Sequence, residues 1–309
     1  MVTLLFLFIS QGLIAAKTSA RKGAATVLLL NRPSERATNA EETIKAALKE
    51  IEGSTTVVET IPCDLQDFES VKACATKIKA KYDAIDVLCC NAGVMALDDN
   101  ATKDGYDVQM QTNHLSHFLL CKELFPLVKK ANELRGEARI VHHSSLARAG
   151  AGLDAKYFGK NGGNLGGNGE FMFTGAKWSR YHQTKLANAV MTMALKDRLK
   201  ESGIKATVAA PGIANTNLQK TTKASGGMSG SMWIMRFSQA AEDGTMPLLA
   251  ACFDPEANNG DFYEPSGWRA GMTGPAVKKK LEKVCMDEKA RQMLWEESEK
   301  ACGKFEIDL

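Results

Sequence analysis

The alternation of short apolar runs with helical segments between residues 25 and about 210 constrains this chain more than any other feature. Thr26-Val27-Leu28-Leu29-Leu30 ends at Asn31-Arg32-Pro33 and reads as a strand buried on both faces. Glu41 to Ile51 has helical periodicity, with Ile44, Leu48 and Ile51 on one side. Further strand patterns fall at 55–61, 84–90, 138–142 and 205–210, and helical ones at 68–81 and 178–201. Strands that alternate with helices form βαβ units and a parallel sheet. Right-handed crossovers then put helices on both faces. The expected architecture is α/β, a doubly wound parallel sheet in one domain over residues 1–309. Ligands of such sheets bind beyond the carboxyl ends of the strands.

Composition narrows the function classes. Charged residues make up 24% of the 309 and the formal charge is only +3, which gives no ground for nucleic-acid binding. Lys278-Lys279-Lys280 is followed by Glu282 and reads as a solvated face. The eight cysteines include no C-x-x-C pair, so their spacing does not support a zinc site, and a reducing compartment is the default. Residues 1–16 are strongly apolar but shorter than the roughly 18–20 residues of a spanning helix. A signal peptide would need a positive region ahead of the apolar core. A buried first strand is the third reading. A cytoplasmic location is expected, with organelle or membrane association through the apolar start as the alternative.

Two segments break the alternation. Residues 148–176 are Gly-rich and read as an irregular surface insertion, because no helix start or P-loop lysine follows in register. Residues 213–240 hold Met228, Met232, Trp233, Ile234, Met235 and Phe237. Periodicity does not separate a substrate lid from a core-packing helix there.

The chemistry-bearing residues follow strand ends. Asn91-Ala92-Gly93 follows one strand, and Ser144-Ser145 another. Asn113 lies in a helical stretch, and Pro211-Gly212 leads to Thr216. Tyr181 and Lys185, at i and i+4, share one helical side. A tyrosine titrates near 10, and bringing it to about 7 takes about 4 kcal/mol of differential stabilisation. A neighbouring lysine ammonium favours the phenolate. His142 and His143 precede the serines, but no G-x-S-x-G elbow is present, so local packing is the expected role.

This order of N-A-G, helical Asn, S-S, Y-x-x-x-K and P-G-x-x-x-T resembles the short-chain dehydrogenase/reductase family over about residues 12–300. The segments Tyr181 to Val190, Gly260 to Tyr263 and Ala290 to Ala301 look like its retinol-dehydrogenase and WW-domain-oxidoreductase branch. The resemblance implies a Rossmann-type fold, an apolar small-molecule substrate and a nicotinamide cofactor. Homo-oligomers are common in the families it resembles. Tyr181 then matches the general acid, Ser145 the residue bonded to the carbonyl oxygen, and Lys185 the residue that lowers the tyrosine pKa and holds the ribose. Asn113 matches the anchor of a proton-relaying water. Asn91, Ala92 and Gly93 match the cofactor lining, Asp64 and Leu65 the adenine contact, and Pro211, Gly212 and Thr216 the nicotinamide contact.

Cofactor choice has a physical argument. An acidic residue after the second strand would accept the ribose 2′-hydroxyl of NAD. Asn31-Arg32 stands there instead, and a guanidinium can pair a 2′-phosphate, so NADP(H) is favoured over NAD(H). The family's first turn carries three glycines, which let the backbone approach the diphosphate. Only Gly12 remains here. Counting back without a gap puts Ser10 and Phe6 in the other two places; otherwise the turn is shortened to Ser10-Gln11-Gly12 after a strand at 3–9. An incorrect chain start, a non-catalytic binding module, or a signal or anchor segment would each account for the departure. The first two keep the helix resemblance at 12–24, which a cleaved signal would remove.

Overall fold

The computed structural model describes the chain except residues 1, 8–9, 151, 172, 215–237 and 268–271, together with the side chain of Ser10. The described residues form one sheet in the order β3-β2-β1-β4-β5-β6-β7-β8. Its strands are β1 (Thr3–Leu7), β2 (Thr26–Asn31), β3 (Val57–Pro62), β4 (Val87–Cys90), β5 (Ala138–His143), β6 (Ile204–Ala209), β7 (Phe262–Pro265) and β8 (Ala276–Lys279). All neighbours pair parallel except β7 with β8. The order reverses between β1 and β4, which is the crevice where doubly wound sheets bind ligands.

Helices cover both faces, as the alternation predicts. On β1, Leu5 and Leu7 join a core with Val71, Leu120 and Val190, which lie on α3 (Phe68–Lys81), α5 (Ser116–Arg135) and α6 (Ala176–Arg198). Leu4 and Phe6 point the other way. They join Ala16, Ile44 and Leu248 on α1 (Ser10–Arg21), α2 (Glu35–Lys49) and α7 (Ala241–Phe253). Two short helices, α4 (Val108–Met110) and α8 (Lys283–Met286), and the C-terminal α9 (Glu288–Cys302) complete the set among the described residues. The apolar start is therefore a central buried strand, with Leu4 to Leu7 at most 2% exposed. No helix among the described residues is long and apolar enough to cross a membrane.

Three local details differ from the periodicity. Helix α2 begins at Glu35 rather than Glu41, because Ser34 caps it: its Oγ accepts from Ala37 N at 3.2 Å. The first buried positions of that helix are Ala37 and Ala40, which carry little hydrophobic signal. The lysine run forms the edge strand β8, where Lys278 pairs with Asp261 at 2.9 Å and Lys279 with Glu264 at 3.1 Å. Charged lysines on an edge discourage pairing with another chain. The Gly-rich insertion is docked rather than loose. Asp99 Oδ2 accepts from Leu165 N and Gly167 N, each at 2.7 Å, and Arg180 Nη1 donates to Leu165 O at 3.2 Å and Gly167 O at 2.8 Å.

His114 shows how burial couples this core to pH. It is 1% exposed, bonded through Nε2 to Ser298 Oγ at 2.8 Å, and burial pushes its pKa down to about 3. The unfolded chain takes up this proton near 6.5, so stability is lost as pH falls from about 6.5 towards 3. Each pH unit in that window costs about 1.4 kcal/mol. Urea unfolding from pH 6.5 to 4 is expected to show a shallower stability loss in His114→Gln than in the wild type. Equal slopes would contradict this.

Candidate active site

The ends of β4 and β5 bring the candidate residues to one place. Asn91-Ala92-Gly93 leaves β4 and runs past a π-helical turn, Gln111–Leu115, between α4 and α5. The wider turn presents Asn113 to that segment; such π-turns occur often at functional sites. Asn113 Oδ1 accepts from Val94 N at 2.7 Å, and its Nδ2 donates to Val94 O and to Thr184 Oγ1, each at 2.9 Å. Its side chain thus clamps the 91–94 segment to α6. A side chain on Gly93 would come within 3.0 Å of Asn113 Oδ1 and 3.2 Å of Lys185 Nζ, so it would press on both.

Tyr181 and Lys185 sit one turn apart on α6, 3% and 4% exposed. Ser145 caps a 3₁₀ turn after β5, accepting from Ala147 N at 3.2 Å, and its side chain lies near enough to the Tyr181 phenol to favour the phenolate. Lys185 Nζ donates to His143 O at 3.2 Å, and Asn188 Nδ2 donates to the same carbonyl at 2.9 Å. Ser144 Oγ donates to Lys185 O at 2.7 Å. Serine and lysine are therefore held from the same strand end.

The electrostatics run opposite to the expectation of a lowered tyrosine. Burial pushes Tyr181 up to about 12, with Ser145 opposing, and pushes Lys185 down to about 8. The lysine nitrogen lies 5.8 Å from the tyrosine ring centre and bonds a carbonyl rather than the phenol. Desolvation therefore outweighs a distant cation, and the phenol is held protonated.

The proposed cofactor contacts also lie at carboxyl ends. Phe6 is buried within β1, which rules out its place in a glycine loop, and only two residues separate β1 from α1. Ser10, Gln11 and Gly12 fall in the first turn of α1 rather than in a loop. Gly12 lies in the first turn of α1, where a Cβ would stand 2.8 Å from Leu7 O and overlap Asn91 Nδ2. Asn91 is 1% exposed, yet neither side-chain polar atom has a hydrogen-bond partner among the described residues. Asn31 Nδ2 is likewise buried and unpartnered. Buried amides are normally bonded, so both are exceptions. Asn31 borders a cleft of about 400 Å³ between α2 and β3. Arg32 is exposed, and no carboxylate pairs with it among the described residues. Asp64 Oδ1 accepts from Gln66 N at 2.9 Å, and Leu65 O from Ser116 Oγ at 2.6 Å. Pro211 O accepts from Gln239 Nε2 at 2.8 Å, and Gly212 has φ of 68°. Thr216 and most of the 213–240 segment lie outside the described residues; Ala214 and Gln239 bridge its two ends.

Sequence reading missed an apolar wall and an ionic clamp. Met95, Ala96 and Trp178 form a small cluster with Tyr181, and Phe173 packs on it. The Trp178 ring centre lies 4.8 Å from Phe173 and 5.8 Å from Tyr181. Trp178 stands three residues before Tyr181, a spacing that could have flagged it. Arg180 is fully buried and meets Asp107 at 3.3 Å and Asp99 at 3.6 Å. Nothing in its local spacing pointed to partners more than 70 residues away.

Comparison with known proteins accords with this arrangement. The short chain dehydrogenase family model matches residues 11–155. A short-chain dehydrogenase/reductase of Armillaria gallica is 31% identical over 255 residues, covering 79% of this chain and 78% of its own. An uncharacterized oxidoreductase of Schizosaccharomyces pombe is 35% identical over 213 residues, 68% of this chain, and the match spans only 58% of its length. Human retinol dehydrogenase 13 is 27% identical over 278 residues, 85% of this chain and 74% of its own. A solved structure from Mycobacterium paratuberculosis shares the fold, with a TM-score of 0.73 at 24% identity over 99% of this chain and 96% of its own. With the motif order, the sheet order and these relatives in agreement, the chain belongs to the short-chain dehydrogenase/reductase family of oxidoreductases, in its retinol-dehydrogenase-like branch.

Proposed function

We propose that this protein is an NADP(H)-dependent oxidoreductase that interconverts a carbonyl and an alcohol on an apolar small molecule. The observation that carries the reading is the buried Tyr181 phenol, held protonated beside Ser145 and walled by Met95, Phe173 and Trp178. Bound NADPH would supply the hydride. Tyr181 then gives its proton to the developing alkoxide, and Ser145 bonds the same oxygen and fixes its position. Lys185, with its pKa near 8, keeps its ammonium at neutral pH and favours the phenolate left behind. The high Tyr181 pKa suits the reducing direction, because an acid must hold its proton until the oxygen needs it. The apolar wall favours a substrate without charge.

The residues present fit the cofactor over most of its length. Lys185 would hold the nicotinamide ribose, and Asn91, Ala92 and Gly93 would line the middle. Pro211, Gly212 and Thr216 would meet the nicotinamide, and Asp64 and Leu65 the adenine. Asn31 and Arg32 would meet the 2′-phosphate, and the first turn of α1 at Gly12 the diphosphate. The unpartnered amides of Asn91 and Asn31 support this. One observation favours a second reading, a catalytically silent binding protein: of the three glycines of the family's first turn only Gly12 is present, and it lies within α1. Fluorescence titration of the full chain separates them. NADPH is expected to bind, and Arg32→Ala to weaken it by about 10- to 100-fold through loss of a charge-assisted bond. NADH binding should scarcely change. Absence of saturable binding by either nucleotide would overturn the enzymatic reading.

A further inference from the structure

We propose that Cys90, Cys121 and His142, with His117 as fourth ligand, form a buried site for a thiophilic divalent cation of the zinc class. Cys90 ends β4, His142 lies on β5, and Cys121 and His117 lie one turn apart on α5. The two sulfurs are 3.6 Å apart, and the donor atoms of Cys90, Cys121 and His142 all lie within 4.8 Å of one another. Two thiolates on one tetrahedral zinc, at about 2.3 Å each, stand roughly 3.7 Å apart. No such trio occurs elsewhere among the described residues.

The hydrogen bonds assign the histidine lone pairs. His117 Nδ1 meets Asn113 O at 2.8 Å. A carbonyl only accepts, so Nδ1 carries the proton and Nε2 is a bare lone pair. His142 Nδ1 meets Thr192 Oγ1 at 3.2 Å, and that hydroxyl donates to Asn188 O at 3.0 Å. With the hydroxyl proton engaged, Nδ1 of His142 is again the donor and Nε2 the lone pair. Both Nε2 atoms are buried without a hydrogen-bond partner. A ring held by its Nδ1–H on a protein oxygen, with Nε2 open, is how metal-binding histidines are oriented. His117 is a neighbour of His142 whose ring would have to move towards the other three to complete the set.

Binding would break two S–H bonds, form two sulfur–metal bonds and release two protons to solvent. Two thiolates, two neutral imidazoles and one divalent ion sum to zero charge, as a dry core requires. The ion would tie together the elements that carry the candidate active site. Cys90 precedes Asn91, His142 precedes the His143 carbonyl that holds Lys185, and His117 bonds the Asn113 backbone. Its role would be to hold the site together, without contact to substrate.

The test is metal content of the full chain purified from zinc-supplemented culture, with X-ray absorption on the same sample. About one zinc per chain with a mixed sulfur and nitrogen shell is expected, matching a two-Cys, two-His site. Cys121→Ser and His142→Gln should each bring zinc to background, whereas Cys63→Ser should retain it. Substoichiometric zinc in the wild type, or content unchanged in Cys121→Ser, would overturn the proposal. If those variants do not fold, the wild-type spectrum decides: a shell lacking either sulfur or nitrogen sinks it.

Discussion

Tyr181→Phe is expected to lower turnover of an apolar aldehyde or ketone by about 100- to 10,000-fold while leaving NADPH affinity nearly unchanged. Phenylalanine keeps the ring and so keeps its edge contact with Trp178, 5.8 Å between centres. It keeps the helix and the Lys185 position one turn on. It removes the hydroxyl that lies beside Ser145 and that holds a proton up to a pKa of about 12. With no acid in place, alkoxide would have to form unprotonated beside Lys185, in a pocket from which water is largely shut out. Steady-state rates with NADPH, combined with fluorescence titration, separate the chemical loss from a binding loss. Retained turnover would remove Tyr181 from the mechanism. Equal loss of binding and rate would mean that the ring position, not the proton, had been disturbed.

Arg180→Gln is expected to destabilise the fold by about 3–5 kcal/mol, a large share of the 5–15 kcal/mol that holds an ordinary domain together. Arg180 is 0% exposed, and its partners Asp107 and Asp99 have side chains 1% and 4% exposed. It also donates to Leu97 O at 3.1 Å, beyond its bonds to the Gly-rich insertion. Glutamine replaces some of the hydrogen bonds but none of the charge. Two buried carboxylates would then face each other without a cation. Urea denaturation measures the loss directly. A change below about 1 kcal/mol would show that water reaches these aspartates and that the clamp is superficial. The same clamp fixes residues 97–107 and 165–167 beside Tyr181, so proteolysis in the Gly-rich insertion should accelerate in the variant.

The legibility of the site tracks the range of the interactions that build it. Tyr181 and Lys185 were readable because a helix fixes i and i+4 by local geometry. Asn91, Ser145 and Pro211 were readable because each follows an apolar run, and parallel sheets align such ends. Helix α3 was predicted at its observed bounds, since Asp67, Phe68, Val71 and Ile78 supply both cap and stripe. The first strand and its turn were left between two alignments. Gly12 fits both; the burial of Phe6 within β1 excluded the first, and the helical placement of Ser10 to Gly12 departs from the second.

The pKa of Tyr181 lay beyond sequence reasoning for the same reason. A lysine at i+4 announces a nearby cation, but not that its ammonium turns to the His143 carbonyl, nor how little water reaches the phenol. The Arg180 clamp and the Cys90–Cys121–His142 cluster depend on side chains that meet across 21 to 81 residues of chain. Such meetings are set by sheet order and helix packing. By itself the sequence determined the alternating architecture, the family and the candidate site side chains, because each rests on local periodicity or short spacing. Only the tertiary structure decided the place of Phe6 within β1, the protonation of Tyr181 and the companions of the buried histidines, because burial and cross-chain distance arise only when the sheet is assembled.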